Sequence, residues 1–336
     1  MKKSIFLSFI LCLCLVACIP QQAMAQKQSR MEKLLRYLND NDADKWQKNR
    51  EKLDDETKAY YAEDLSLMDV LNDLWNGQSE QAATLYFGCY EKAAQNNFPS
   101  ICEGEKIPLS QIRDKADQSI INLLEASKDK IPFSRALLDS IHATEYPVDS
   151  AMLQRLQNIR EVALLEGMLK APTPIIYQTY VKEYPNGKFI AQVNASENVR
   201  LYQLVKTTPT PANFKAFFED PEMQKYYQDR GPRPYLAEVR TLYDDFLFQR
   251  IDSLKKEGNA TAIRQIIDDY KNTPYLATGA RTHLNDLEYL SEKADFELLK
   301  PAIVNSESLG LLQEFLKTHK YKEFRDQAKN LRAPFI

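Results

Sequence analysis

The sequence predicts an all-α protein in which stacked helical hairpins form a solenoid, with length enough for two sub-domains. Three observations support this fold class. Apolar residues recur at helical spacing along the chain, without the strict alternation that is typical of strands. Glycine is scarce, at 9 of 336 residues, so few positions favour irregular backbone. A short aromatic-aliphatic-alanine motif recurs between helical segments, which indicates repeated units.

Each predicted helix carries its apolar residues on one side. Residues three or four positions apart share a face of an α-helix, and a one-sided apolar face has to be buried against a neighbour. The stripes are, in chain order, Met31, Leu34, Leu35 and Leu38; Leu67, Leu71 and Leu74; Ile112, Ala116, Ile120 and Leu123; Leu153, Leu156, Ile159 and Ala163; and Leu284, Leu287, Leu290, Ala294 and Leu298.

Turn signals separate these stripes. Tyr146-Pro147 and Tyr184-Pro185 end helices, because the residue before a proline is disfavoured in the α region. The strongest break is Gly231-Pro232-Arg233-Pro234, and a later one is Gly258-Asn259.

The repeat is a helix junction that occurs three times. Residues 184–191 read Tyr-Pro-Asn-Gly-Lys-Phe-Ile-Ala, residues 270–277 read Tyr-Lys-Asn-Thr-Pro-Tyr-Leu-Ala, and residues 235–237 repeat the last three positions as Tyr-Leu-Ala. A leucine follows each aromatic at the twelfth position: Leu201, Leu247 and Leu287. We expect the aromatic to open a helix and wedge into the hairpin interface. We expect the alanine to allow close approach of backbones, and the leucine to pack on the next unit.

This layout resembles the tetratricopeptide-like helical repeat proteins of the bacterial envelope, in which Tyr-Pro-Asn turns join helices. The resemblance covers about residues 133–332, although the aromatics are 46 and 40 residues apart and the standard period is 34. It implies a scaffold that binds other proteins along an extended surface of stacked hairpins.

The beginning of the chain predicts export. Two lysines precede an apolar run, Ile5 to Cys18, that is too short to span a bilayer and is typical of a signal peptide. Two cleavage sites compete. Leu15-Val16-Ala17-Cys18 resembles a lipobox, which would place a lipid on Cys18, and Ala23-Met24-Ala25 has the small-x-small pattern of signal peptidase.

The two cleavage sites define the predicted organisation of the chain. The signal peptide covers residues 1–25, or 1–17 in a lipoprotein. An N-terminal helical region covers 26–130, and a degenerate helical-repeat region covers 131–336. The expected location is the periplasm, or the outer membrane of a Gram-negative bacterium through a lipid anchor on Cys18, which would be the only membrane contact.

Charge argues against a nucleic-acid partner. The chain has 44 basic and 47 acidic residues, a formal net charge of −3, and loses Lys2 and Lys3 with the signal peptide. Binding to phosphates needs clustered lysine and arginine, which this sequence lacks. The charges are interspersed, as expected for solvated helix faces.

Two of the five cysteines, Cys89 and Cys102, remain in the folded part of an exported chain. An even pair in an oxidising compartment favours a disulfide, and the alternative is two buried thiols. We predict the disulfide, because Asn96 to Ser100 reads as a loop that needs a crosslink.

Motifs for chemistry are absent from the sequence. The three histidines have no metal-ligand spacing, and there is no glycine-rich phosphate loop and no Gly-x-Ser-x-Gly elbow. Adjacent acidic residues such as Asp244 and Asp245 point about 100° apart on a helix, so they make poor catalytic pairs. We therefore expect no cofactor, no metal and no enzymatic activity.

One segment stands out as a candidate interaction site. Residues 218–234 interrupt the rhythm of the repeat, and insertions in repeat arrays often lie on the binding face. The candidate interaction residues in it are Tyr226, Tyr227, Arg230 and Arg233.

Three functions are compatible with these features. The first is a non-enzymatic scaffold or adaptor for protein partners of the envelope. The second is a module that binds a glycan, peptidoglycan or a small ligand, which needs an aromatic-lined pocket. The third is an all-helical enzyme acting on a polysaccharide, which needs a cleft with convergent acid and base groups. We favour them in that order.

Overall fold

A computed structural model describes residues 23–77, 79–257, 260–271 and 281–331. Within these ranges the regular structure is helical, and no residue in them forms a strand, which confirms the all-α prediction. The predicted signal sequence up to residue 22, with Cys18, and residues 272–280 of the second repeat copy lie outside the described residues. No helix in the described ranges is both long enough and apolar enough to cross a bilayer.

The helices follow one another with short connections. In chain order they are α1 (23–39), α2 (Ala43–Glu51), α3 (Asp55–Tyr60), α4 (Ala62–Trp75), α5 (Glu80–Gln95), α6 (Phe98–Glu105), α7 (Leu109–Ala126), α8 (Lys130–His142), α9 (Ser150–Lys170), α10 (Pro174–Glu183), α11 (Ile190–Thr207), α12 (Pro211–Glu219), α13 (Pro221–Tyr227), α14 (Leu236–Glu257), α15 (Ala260–Lys271), α16 (Arg281–Ala302), a 3-10 turn (Ser306–Ser308), α17 (Leu309–Thr318) and α18 (Lys322–Asn330).

The chain divides into two compact units. The first contains Met1–Ala171 and Gln178–Phe189, and the second contains Pro172–Tyr177 and Ile190–Ile336. The sequence-based boundary at 130/131 lies inside the first unit, whose apolar core runs without interruption from Met31 to Leu156.

In the first unit the predicted apolar stripes form the core. Met31, Leu34, Leu35 and Leu38 of α1 are all at most 1% exposed, and the stripe on α4 is at most 2% exposed. Side-chain caps fix where several of these helices begin, for example Asp42 before α2 and Ser79 before α5, whose side chains accept backbone N–H bonds. Periodicity therefore predicts the helices and the buried faces of α1 and α4, but on α9 Leu153 and Ile159 are only partly buried.

The junction between α5 and α6 differs from the expectation. The stretch from Asn96 to Ser100 is no loop in need of a crosslink, because α6 already begins at Phe98, which is fully buried. The predicted disulfide is not formed in the structure, where Cys89 and Cys102 are free thiols. Burial raises the pKa of Cys102 to about 12, so the buried thiol is protonated and unreactive.

A polar network holds the turn between α10 and α11 in the first unit. The Tyr180 hydroxyl donates to Glu161 Oε1 at 2.8 Å and accepts the Phe189 backbone N–H at 3.1 Å. Arg160 binds both carboxylate oxygens of Glu183, at 2.5 and 2.9 Å. The Tyr-Pro-Asn-Gly motif thus forms a turn that is closed around buried polar groups.

Two of the apolar clusters in the described part of the second unit lie on α14 and α16. One is centred on Leu247, Ile251 and Leu254 of α14. The other joins α16 to α17 and α18 through Phe296, Phe315 and Phe324 with their apolar neighbours. On α16 the predicted stripe is only partly right, because Ala294 is buried but Leu298 is 42% exposed.

The repeat motif marks helix starts in both described copies. Phe189 directly precedes the first residue of α11, and Tyr235 directly precedes the first residue of α14. The leucines at the twelfth position, Leu201 and Leu247, are buried. The expected role of the alanine is wrong, because Ala191 and its counterpart in the other copy are exposed and cannot bring two backbones together.

Substitution of Gly187 tests the packing of the turn. A Cβ at this position would meet the Glu161 carboxylate, and would lie 2.6 Å from the Tyr180 hydroxyl. Gly187→Ala is expected to lower the free energy of unfolding by about 1–3 kcal/mol, the usual cost of overpacking. The measurement is urea denaturation followed by circular dichroism.

The matched control is Gly88→Ala in the middle of α5, where an added Cβ meets no atom within 4 Å. Alanine favours a helix over glycine by up to ~1 kcal/mol, so this variant should be as stable as the unsubstituted protein or more so. Equal stability of both variants would contradict the role assigned to Gly187.

Candidate functional site

The candidate segment 218–234 folds as a short helix followed by a turn in the second unit. Asp220 caps α13, because its side chain accepts the Met223 N–H at 2.8 Å. After α13 the chain turns at Gly231, whose φ of +95° is a conformation that glycine adopts without strain. The proline-rich residues that follow lead directly into α14.

Three of the four candidate interaction residues lie together at the surface. The rings of Tyr226 and Tyr227 pack edge to face, 5.0 Å apart. The exposed guanidinium of Arg230 lies 4.4 Å from the centre of the Tyr226 ring. Tyr226, Tyr227 and Arg230 therefore form a small aromatic and cationic patch.

Arg233 is separated from this patch by burial. Its Nε donates to Asn198 Oδ1 at 2.6 Å, one Nη donates to the Phe217 carbonyl, and the guanidinium lies 3.9 Å from the centre of the Phe217 ring. Burial lowers the pKa of Arg233 from its ordinary value. The side chain is therefore an internal anchor of the turn, and it is not available to a partner.

A larger feature, which the sequence analysis missed, lies between α12, α14 and α15. It is a groove of about 540 Å³, which we call the aromatic groove, and its lining residues are Pro211, Phe214, Lys215, Glu219, Tyr243, Phe246, Leu247, Arg250 and Ile266. Phe214 forms its floor, with ring centres 5.0 Å from Tyr243 and 5.3 Å from Phe246.

The groove has apolar walls and a charged rim. Leu247 is buried and Phe246 is half-buried, so both present apolar surface to the groove. Lys215 and Arg250 are exposed, and Lys215 Nζ lies 3.7 Å from the Glu219 carboxylate. Such a site suits a ligand in which apolar groups lie next to charged groups.

The sequence did contain a signal for this groove. Tyr243, Phe246, Leu247 and Arg250 are spaced as one helix face, at positions i, i+3, i+4 and i+7. The contribution of α12, through Phe214, comes from a different helix and could not be assigned to the same site from spacing alone.

Comparisons of the chain with protein-family models, curated proteins and solved structures found no match. The chemistry of the described residues therefore carries the functional argument by itself. Among these residues no group of three or more His, Cys, Asp or Glu side chains is placed to hold a metal ion.

Two acidic residues of the first unit have perturbed acidities. Burial raises the pKa of Asp64 to about 7 and that of Asp117 to about 6. Asp64 is fully buried and accepts the Asn96 side-chain amide at 3.1 Å. Asp117 is only half-buried and lines a cavity, so of the two it is the one that a ligand can reach.

Substitutions of Arg233 and Arg230 should change the free energy of unfolding by different amounts, because Arg233 is buried and Arg230 is exposed. Arg233→Ala removes the bonds to Asn198 and Phe217, and is expected to lower the free energy of unfolding by on the order of 2–3 kcal/mol. Arg230→Ala removes an exposed contact and should leave it within ~0.5 kcal/mol. Urea denaturation of the two variants measures both effects, and a larger loss for Arg230→Ala would refute the assignment.

Proposed function

We propose that this protein is a non-enzymatic, exported scaffold that docks a partner protein of the bacterial envelope. The observation that carries the proposal is the aromatic groove, because it combines apolar walls with a charged rim. Binding sites for amphipathic helices have this composition: apolar side chains enter the groove and flanking charges pair with its rim. The partner we infer is such a helix.

The walls favour a protein over a glycan. Phe214, Phe246 and Leu247 offer no hydrogen-bonding group, so the polar groups of the described lining are the Tyr243 hydroxyl and the charges of Lys215, Glu219 and Arg250. Sugars present many hydroxyl groups that need partners when they leave water, and unpaired polar groups are costly to bury. Apolar side chains incur no such cost.

The helix order also supports a repeat scaffold of the tetratricopeptide-like kind. Many of the most extensive helix contacts join neighbours in the sequence, as between α4 and α5, α8 and α9, and α15 and α16. Pairing of successive helices is the feature that tetratricopeptide-like hairpins share. We propose this arrangement for the chain from its helix pairing and its repeated junction.

For the route of export we propose a lipid anchor on Cys18. Met24 and Ala25 belong to α1, and with Tyr60, Tyr61 and Ile101 they line a cavity of about 460 Å³. Cleavage after Ala25 would remove these two residues from the wall of that cavity. Cleavage before Cys18 would keep them, which favours the lipoprotein.

Mass spectrometry of the mature amino terminus tests the anchor. We expect a chain that begins at Cys18 and carries the added mass of acyl chains, because the lipobox precedes that residue. Cys18→Ser should then prevent lipidation and release the protein from membranes. A mature chain that begins at Gln26 without a lipid would overturn the anchor and leave the scaffold proposal standing.

Site-specific photocrosslinking tests the groove. A benzoylphenylalanine in place of Phe246 should capture one discrete partner in cells, because position 246 lines the groove. The same group in place of Phe248, which is on α14 but outside the groove and 38% exposed, is the matched control. Arg250→Glu reverses a rim charge and should weaken capture from position 246.

Capture with equal yield from both positions would show a non-specific surface. No discrete product at position 246 would contradict a docking role for the groove. Arg250 is exposed, so Arg250→Glu is expected to change the free energy of unfolding by no more than ~0.5 kcal/mol, which urea denaturation of the variant checks.

A further inference from the structure

A cavity in the first unit lies between α7 and the beginning of α9. It measures about 280 Å³, and its charged lining consists of Arg113, Asp114, Asp117, Asp149 and Arg155. The apolar side chains of Ile121 and Met152 form part of its wall and are themselves buried. Acidic and basic groups thus meet around one small space on an apolar base.

Asp117 is held in place from inside the core. The Tyr146 hydroxyl donates to Asp117 Oδ1, and the hydroxyls of Tyr146 and Tyr86 are 3.3 Å apart. Tyr86 is fully buried and Tyr146 is 5% exposed, within a cluster of rings that includes Phe87 and Tyr90. This support fixes the carboxylate before any ligand arrives, which reduces the entropy lost on binding.

Within the part of the chain that the structure describes, Arg113 and Arg155 form only weak ion pairs. Arg155 pairs with Glu125 at 2.8 Å, and both side chains are half exposed. Arg113 lies 3.8 Å from Asp114, which is 74% exposed. Ion pairs of this kind contribute little free energy, so a ligand carboxylate can compete for either guanidinium.

We propose that this cavity binds a small zwitterion, a free amino acid, with its ammonium group at Asp117 and Asp149 and its carboxylate at Arg113 or Arg155. This goes beyond the scaffold function and concerns a different unit of the chain. A volume of 280 Å³ is large enough to admit a small molecule.

Other ligand classes fit this cavity less well. A glycan site would have an exposed aromatic face for stacking, and none of the described residues that line this cavity is aromatic. An anion alone would be repelled by Asp117 and Asp149, and a cation alone would be repelled by the two arginines. A zwitterion satisfies both sets of charges.

Isothermal titration calorimetry on the full mature chain tests the proposal with a panel of the common amino acids. At least one of them should bind. Its N-acetylated form and its carboxamide should bind at least about tenfold more weakly, because each lacks one of the two charges. Failure of every amino acid in the panel to bind would overturn the proposal, and equal binding of the blocked forms would do the same.

Variants identify the residues that carry binding. Asp149→Asn should weaken amino-acid binding about tenfold. The variant should fold normally, because Asp149 is exposed and makes no side-chain cap bond to α9. Arg155→Ala should act similarly. Glu125→Gln is the matched control, since it removes the same ion pair as Arg155→Ala but does not line the cavity. Equal affinity in Asp149→Asn and Glu125→Gln would overturn the assignment.

The dependence on pH provides a second readout. The groups that face Asp117 are Tyr146 with Tyr86 behind it, Arg113 and Asp114 on α7, and Asp149 and Arg155 at α9. The pKa of Asp117 is about 6, so the carboxylate takes up a proton as the pH falls below 6. The affinity should therefore fall between pH 7.5 and 5.

Asp117→Asn keeps an oxygen that can accept the Tyr146 hydroxyl, but it has no charge. In this variant the affinity for the amino acid should be low at every pH, and it should no longer decrease between pH 7.5 and 5. An unchanged pH profile would exclude Asp117 from the site.

Discussion

Bonds from tyrosine hydroxyls to acidic side chains on another element set the relative positions of the helices. An apolar helix face can slide along its neighbour at little cost, but a buried hydroxyl needs one partner at one place. In the second unit the bonds from Tyr202 to Glu238 and from Tyr289 to Glu323 lie closer to solvent, but in the first unit Tyr146 bonds to Asp117 and Tyr180 to Glu161 from inside the core. They convert a stack of amphipathic helices into a defined register.

The same bonds explain the chemistry of the first unit. A carboxylate that accepts a hydroxyl from the core has to lie near the core, and at Asp117 burial raises the pKa while the bond from Tyr146 acts in the opposite direction. At Glu161 the result is a closed network, since Tyr180 and the turn at Gly187 cover it. At Asp117 the network opens to a cavity, and a structural acid becomes accessible to a ligand. The bond from Tyr146 to Asp117 thus both positions the helices and holds the acidic group of the candidate binding site.

The sequence predicted the apolar part of this fold and missed the polar part. Helical spacing identified the core faces of α1, α4 and α7, because burial of an apolar stripe is a local property of one helix. Interspersed charges were interpreted as solvated, yet Arg160 and Glu161 are both at most 5% exposed. Whether a charge is buried depends on partners such as Glu183 that lie far along the chain, and periodicity carries no information about them.

Pairs of like residues show why the candidate sites could not be read from the sequence. Arg155 and Arg160 lie on the same helix. Arg160 is 1% exposed and bonds to Glu183, Ser134 and the Ile131 carbonyl. Arg155 instead pairs with Glu125, which is half exposed. Arg233 and Arg230 differ in the same way. Arg233 bonds to the buried Asn198, whereas the guanidinium of Arg230 contacts the ring of Tyr226 at the surface.

An arginine that bonds to buried groups within the chain stabilises the fold, and removing it leaves those groups without partners. An arginine with a weak, exposed partner contributes little to stability, so its charge can serve a ligand or another protein. Neither residue type nor position in the helical repeat distinguishes these two kinds of arginine in the sequence. The number of partners that each side chain finds in the folded chain decides between them, and by that criterion Arg155 and Arg250 are available for binding while Arg160 and Arg233 are not.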